Sequence, residues 1–171
     1  MQNSSYFIEK LQLVPHPEGG YYREVYRSKE KISGTCLPER FSGRRNFSTA
    51  IYFLLRRNDF SAIHRINQDE LWHFYAGLPV VIHVFLPEQK YRKIILGNNK
   101  DNTEFIAVVP AGAWFGAHPY IEDCSGDSPD FSLVGCTVAP GFDFKDFELA
   151  QKDKLLSLFP ESGHIIKKLT G

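Results

Sequence analysis

The sequence predicts an all-β chain, a sandwich or barrel of short antiparallel strands with a short helix at each end. Stretches rich in β-branched and aromatic residues follow one another closely from residue 47 to residue 138, punctuated by turn signals such as Gly77-Leu78-Pro79 and Gly97-Asn98-Asn99. This spacing leaves no room for the crossover helices that a parallel sheet requires. Fourteen Phe, eight Tyr and two Trp bring the aromatic share to 14%, and flat rings pack well on pleated surfaces. An immunoglobulin-type sandwich is the structural rival, but its Cys…Trp…Cys pattern is missing.

Residues 4–12 read as the first helix, with Phe7, Ile8 and Leu11 on one face. It stops at Pro15-His16-Pro17-Glu18-Gly19-Gly20, a dense turn signal. Residues 21–27 alternate as a strand, with Tyr22, Glu24 and Tyr26 on one face and Tyr21, Arg23, Val25 and Arg27 on the other. Residues 28–46 are polar and basic, carry Gly34, Pro38 and Gly43, and read as a long loop. Strands are predicted at 48–55, 70–77, 80–86, 91–96 and 103–109. An acidic loop over 121–130 precedes a last strand at 131–138. Helical spacing returns only in Leu155, Leu156, Leu158 and Phe159, then in Ile165, Ile166 and Leu169.

A chain of 171 residues has the length of a single domain, 1–171, and buries a core without a disulfide or metal staple. Lys+Arg and Asp+Glu are 20 each, so the net charge is 0, which argues against a general nucleic-acid binder. The apolar runs are a few residues long, where a membrane helix needs ~20. The N-terminus has no basic region followed by an apolar run, so it does not read as a signal peptide. Cys36, Cys124 and Cys136 are odd in number, widely spaced and outside any CxxC, which is neither a disulfide framework nor a zinc-ribbon or thioredoxin motif. The expectation is a cytoplasmic protein without nucleic-acid or membrane partners.

His64 lies just before the strand 70–77 and Glu70 at its start. A His and a carboxylate converging inside a barrel bind a divalent metal or act as an acid/base pair. The bland alternative is a strand-start histidine and a solvated glutamate. Strand parity puts Trp72 and Phe74 on the face of Glu70 and His73 on the other. Trp72 then either stacks a ligand ring or fills the core. His83 interrupts an apolar strand, as a satisfied core histidine or a pocket one. Arg23 and Glu24 point to opposite faces, so only one of them enters a given cavity. Arg23 suits a carboxylate or phosphate clamp, or a surface or interface salt bridge, and Gly19-Gly20 permits close backbone approach. Asp143 follows the last barrel strand and is placed to orient an imidazole. Asp146 and Glu148 read as helix-start carboxylates.

Five blocks, in order and spanning nearly the whole chain, carry a family resemblance: PHPEGGYYREVYRS (15–28), STAIYFLL (48–55), HRINQDELWHFYAG (64–77), VPAGAWFGAHP (109–119) and SLVGCTVAPGFDFKDFELA (132–150). They resemble the cupin superfamily, and within it the branch called cupin five, a domain of unknown function. His64, Glu70 and Gly77 resemble the first cupin motif, and Pro110-Ala111-Gly112 the opening of the second. The resemblance implies a double-stranded β-helix (jelly-roll) barrel, usually dimeric, related to sugar-nucleotide epimerases and germin-like proteins.

The metal-binding form of these motifs is incomplete. Ala62 and Ile66 stand two residues either side of His64, where a second histidine is usual, and the gap to Glu70 is one residue longer. The motif histidine three residues after Gly112 is replaced by Phe115. His118 comes three residues later, on the opposite face of a regular strand, and only a bulge would bring it inward. A tight site takes three or four protein ligands. No cofactor is therefore required, and a divalent metal is expected at most weakly, on His64 and Glu70 with His118 as the remaining candidate.

The functional expectation is a small polar ligand in the barrel, sugar-like or sugar-nucleotide-like, with epimerase or isomerase acid/base chemistry on His64 and Glu70. The expected pocket comprises Trp72, Phe74, His83, Phe115, Arg23, Tyr52 and Asp143. Sugar epimerases of this fold use a His–Asp pair as base and a Tyr as acid, and Tyr52 and Tyr75 are the tyrosines considered for that role. The alternatives are a non-catalytic small-molecule-binding protein and, less favoured by the ligand set, a metal-dependent dioxygenase or decarboxylase. A homodimer is expected, because the aromatic faces of strand 21–27 and of the first helix exceed what one barrel covers, and the resemblance implies pairing through such a strand.

Overall fold

The structure, a computed structural model, describes residues 2–98, 103–121 and 128–170. Asn99, Cys124 and the centre of the acidic loop lie outside the described residues. Helix α1 (Ser4–Lys10) leads into β1 (Val14–Pro15), β2 (Tyr21–Arg27) and the small pair β3 (Lys31–Ile32) and β4 (Arg45–Asn46). Then come β5 (Thr49–Arg56), β6 (Ser61–Arg65), β7 (Asp69–Gly77), β8 (Val80–Leu86) and β9 (Lys90–Leu96). The chain continues through β10 (Ile106–Val109), β11 (Trp114–Pro119), β12 (Phe131–Ala139), β13 (Glu148–Leu149), α2 (Lys152–Leu158) and α3 (Gly163–Leu169).

Two antiparallel sheets form a jelly-roll barrel. One has six strands in the order β1-β2-β5-β12-β7-β10, the other five in the order β13-β6-β11-β8-β9. Their facing sides enclose a core in which Trp72 packs edge-on against Phe53 and Phe115, with Leu55, Ile82, Val84, Leu96 and Val134 around it. Full burial of each large apolar side chain contributes roughly 1.5–3 kcal/mol. Helices α2 and α3 cover the outer side of the five-stranded sheet, where Leu155, Ile166 and Leu169 meet Ile63 and Phe85. Helix α1 packs Phe7, Ile8 and Leu11 against Leu54 and Leu133 on the outer side of the six-stranded sheet. Asn3 accepts a hydrogen bond from the Tyr6 amide and so caps its first turn.

The predicted strands are present, and others appear: the two-residue strands β1, β3, β4 and β13, and the longer β6 and β11. β6 and β11 lie in stretches that alternation alone leaves undefined, yet they form the middle of the five-stranded sheet. The long loop 28–46 also contains the β3–β4 pair and a short 3-10 turn at Gly34–Cys36. At the end of β7, Gly77 has a φ of +93°, and a Cβ there would collide with the Phe131 carbonyl. That position demands glycine.

Candidate functional site

One end of the barrel interior is filled by the Trp72 cluster. The other opens as a cavity of about 470 Å³ bounded by β2, β5, β6, β7, β12 and the segment 142–147. Its walls are mostly aromatic and apolar: Tyr22, Ile51, Phe53, Ile66, Val138, Phe142, Phe144 and Phe147. Its polar groups are His16, Glu18, His64, Glu70 and Cys136, with Glu24, Arg27, Thr49 and Asp143.

Local irregularities aim these side chains. The turn 15–20 is closed by the Gly19 amide on the His16 carbonyl and the His16 amide on the Gly20 carbonyl, both at 3.0 Å. Gly19 has a φ of +105° and lies against the Phe60 carbonyl, so the turn is pinned to the chain entering β6. The close approach that Gly19-Gly20 permits is thus to the protein's own backbone. It carries His16 and Glu18 into the cavity. In β6 the register against β11 slips between His64 and Ser61, so these two, three residues apart, reach the same carboxylate. In β2 a slip between Glu24 and Tyr26 turns Arg27 to the cavity side, although plain alternation puts it on the face of Arg23.

Glu18 is the hub. Its Oε1 accepts a hydrogen bond from Ser61 Oγ at 2.8 Å, and its Oε2 lies 3.2 Å from His64 Nε2 and 3.6 Å from His16 Nδ1. His64 Nδ1 sits 2.8 Å from the Ala62 carbonyl, which only accepts, so Nδ1 carries a hydrogen. One further proton must lie between His64 Nε2 and Glu18. Burial raises Glu18 to about 6, against the opposing pull of His16 and the Ser61 hydrogen bond. Burial also lowers His64, with Glu70 pulling the other way. Both shifts run toward the neutral pair, so the proton is shared between Glu18 Oε2 and His64 Nε2 across 3.2 Å.

Glu70 is 8% exposed and is pushed up to about 7, first by burial and then by the charge of Glu18, with His64 and the Cys136 hydrogen bond opposing. The Cys136 thiol, raised well above its ordinary value by burial and by Glu70, remains an S–H donor rather than a nucleophile. His16 is lowered by burial, and its ring stands edge-on to Tyr22, with centroids 4.5 Å apart.

His64, Glu70 and Asp143 therefore line one cavity. The other expected pocket residues lie elsewhere. Trp72 is 1% exposed and fills the core, because the six-stranded sheet presses it onto Phe53 and Phe115. Phe74 packs at the margin of that core. Phe115 backs the His64 ring, with centroids 4.2 Å apart, without reaching the cavity. His83 shares a face with Phe85 on the far side of the five-stranded sheet, where it meets Tyr91 Oη at 2.6 Å and His118 Nε2 at 3.2 Å. Arg23 points outward and donates to the Leu11 carbonyl and Gln12 Oε1. Tyr52 pairs edge-on with Tyr75 outside the barrel, and the tyrosine in the cavity is Tyr22.

The carboxylate on His64 is Glu18, whereas Asp143 caps the following 3-10 turn through the Lys145 amide. Asp146, expected as a helix-start carboxylate, is a buried partner of Arg45. Glu18 and His16 were missed as site residues, although both stand in the PHPEGG block, where an acid and a histidine precede two glycines.

The cavity does not suit the metal of the metal-binding cupins. His64 spends Nδ1 on a carbonyl and Nε2 on Glu18, Phe115 takes the motif histidine's place, and His118 is on the opposite face of its sheet. Among the described residues no three His, Cys, Asp or Glu side chains are grouped to hold a metal ion.

A hypothetical protein from Leishmania major is 37% identical, superposes with a TM-score of 0.87, and each chain covers 98% of the other. An uncharacterized protein of Saccharomyces cerevisiae is 29% identical over 147 residues, 81% of this chain and 71% of that one. Oxalate decarboxylase from Bacillus subtilis shares the fold alone, at 12% identity and a TM-score of 0.52, over 91% of this chain and 36% of the enzyme. The model of the Cupin superfamily (DUF985) matches residues 5–150, from α1 through β13, and so takes in every residue that lines the cavity. The chain belongs to this DUF985 family of the cupin superfamily.

Proposed function

We propose that the protein binds a small polar ligand of sugar size in the barrel cavity and moves protons on it, as an isomerase or epimerase does. One observation carries the reading: Glu18, His64 and Glu70 meet in one cavity, with the carboxyls raised to about 6 and about 7. Groups whose pKa lies near the working pH both take and return a proton efficiently. Glu70, once ionised, is the base, and the Glu18–His64 pair holds the proton to be returned to the ligand. The volume of about 470 Å³ suits a small molecule. We place this activity in the reducing cytoplasm, a reading supported by the free thiols of exposed Cys36 and buried Cys136.

The test has two stages. A thermal-shift screen of small hydroxylated metabolites comes first, since a ligand at 100 times its Kd stabilises by ~2.7 kcal/mol. Each hit is then incubated in D2O and followed by NMR. Deuterium entering a carbon position with the wild type, and not with Glu70→Gln, is the expected result. Hits that bind without any exchange would leave a binding protein and no enzyme.

A further inference from the structure

The charge and the walls of the cavity narrow the ligand further. Four carboxyls line it, Glu18, Glu24, Glu70 and Asp143, against a single guanidinium, Arg27. Arg27 is not available to clamp an anion. Its Nε and Nη2 bond the two oxygens of Glu24 at 2.9 and 2.7 Å, and Nη1 donates to Asn46 Oδ1 and to the Phe142 carbonyl, each at 3.0 Å. Both histidines are lowered by burial and bring no fixed positive charge.

The inner carboxyl Glu70 is more than nine-tenths buried and lines the cavity, yet the Cys136 thiol is its only hydrogen-bond donor among the described residues. A carboxylate has about four acceptor positions, and a thiol is a weak donor. Glu70 thus keeps acceptor capacity directed at the cavity.

The walls match this. Phe142, Phe144 and Phe147 all line the cavity and stand at 73–78° to one another, so their ring faces and edges point in several directions. Tyr22 and Phe53 add two more rings. Aromatic faces attract cations through their quadrupole, and rings together with carboxylates form the usual receptor for an ammonium group.

We propose that the ligand is a small organic cation, a protonated or quaternary amine, with its nitrogen held by Glu70 and Glu18 and its frame against the phenyl rings of 142–147. This rests on the cavity being the ligand site, as proposed above, and replaces the anionic sugar nucleotide with a ligand of opposite charge. An arriving cation reverses the causes that raise the two carboxyls: it compensates their desolvation and screens one from the other. Binding therefore ionises them and releases protons, and affinity climbs with pH. Besides each other, the titratable groups that face Glu70 and Glu18 are His16 from the turn, His64 on β6 and Cys136 on β12, with Tyr22, Glu24, Arg27 and Asp143 lining the same cavity.

The test uses the full chain and three probes: choline, its uncharged carbon isostere 3,3-dimethyl-1-butanol, and glucose 1-phosphate, titrated by calorimetry at about pH 5.5 and about pH 8. Choline should bind about tenfold or more tighter than the isostere. Its affinity should rise about tenfold between the two pH values, with proton release visible in buffers of different ionisation enthalpy. Glu70→Gln and, independently, Asp143→Asn should each weaken choline and leave the isostere unchanged. Equal binding of choline and isostere, or preference for glucose 1-phosphate, would overturn the cation while leaving the cavity as the site. Binding of none of the three would overturn the cation as well, and the metabolite screen above then decides the cavity separately.

Discussion

Glu70 is a carboxyl that the fold keeps protonated well above the ordinary carboxylate range, and this has a measurable cost. Its folded pKa of about 7 exceeds the unfolded value of 4.5. The stability this contributes is fully present below pH 4.5 and is lost as the pH rises through about 7. His16 and His64 act with the opposite sign: both are lowered from 6.5, so their contribution is present above that value and lost as the pH falls. Comparing Glu70→Gln with the wild type removes the His16 contribution, which both proteins share, and leaves Glu70 with the part of His64 coupled to it. From about pH 5 to about pH 8 the difference should move in favour of the variant by about 2 kcal/mol. Urea unfolding at the two pH values measures it, and a difference that does not change with pH would show that Glu70 is not held neutral. His64 and Glu70 were legible in the sequence because the spacing to Gly77 follows a motif. Glu18 was not, because a carboxylate in a Pro/Gly turn looks solvated until the turn is seen folded into the barrel mouth.

The segment 142–147 supplies three phenyl rings and Asp143 to the cavity, and what holds it is polar. Arg45 on β4 makes a two-point contact with Asp146, Nε to Oδ2 at 2.8 Å and Nη2 to Oδ1 at 2.6 Å. Gln68 and Asn67 donate to the same carboxylate. The remaining Arg45 Nη1 donates to carbonyls of Ser42, Gly43 and Arg44. Burial alone would raise Asp146, and these hydrogen bonds bring it below its ordinary value instead. With side chains 3% and 1% exposed, removing one partner strands a buried charge. Arg45→Met should cost about 3–5 kcal/mol. Replacing both, with Asp146→Leu added, should recover part of the loss, because no lone charge remains. Chemical denaturation of the two variants checks this, and equal losses would mean the ion pair is not what matters.

At this scale the strands rich in β-branched residues were readable, β8 to its ends. β6 and β11 were not. β6 is five residues long with a register slip, and β11 carries Gly116 and ends in Pro119, so neither shows a clean alternation. The same slips, in β6 and in β2, bring Ser61 to Glu18 and Arg27 to the cavity side, so the departures from pattern fall at the site.

At the scale of the whole molecule, the two sheets are covered unequally. The five-stranded sheet has α2 and α3 on its outer side. Among the described residues the helix on the outer side of the six-stranded sheet is α1, which reaches Leu54, Phe131 and Leu133. Beyond it the outer face shows Tyr75 at 51%, Ile106 at 54% and Val108 at 46% exposure, with Tyr52 beside Tyr75. β10, which carries Ile106 and Val108, is also the last strand of its sheet. Adjoining apolar side chains over several strands mark an interaction surface, whereas isolated ones would need no explanation. A second copy of the chain is the occupant we expect, in keeping with the aromatic surplus and with a net charge of 0 that opposes no self-association. A twofold pairing presents the same patch from both partners, and a stable one buries about 800 Å² on each. Light scattering at high micromolar concentration should give twice the chain mass. Ile106→Lys together with Val108→Glu should give the single mass with unchanged circular dichroism, because these side chains face outward and the core behind them holds Ala107 and Val109. A wild-type monomer at that concentration would sink the dimer, and a dimer that survives the paired substitution would move the interface to another face.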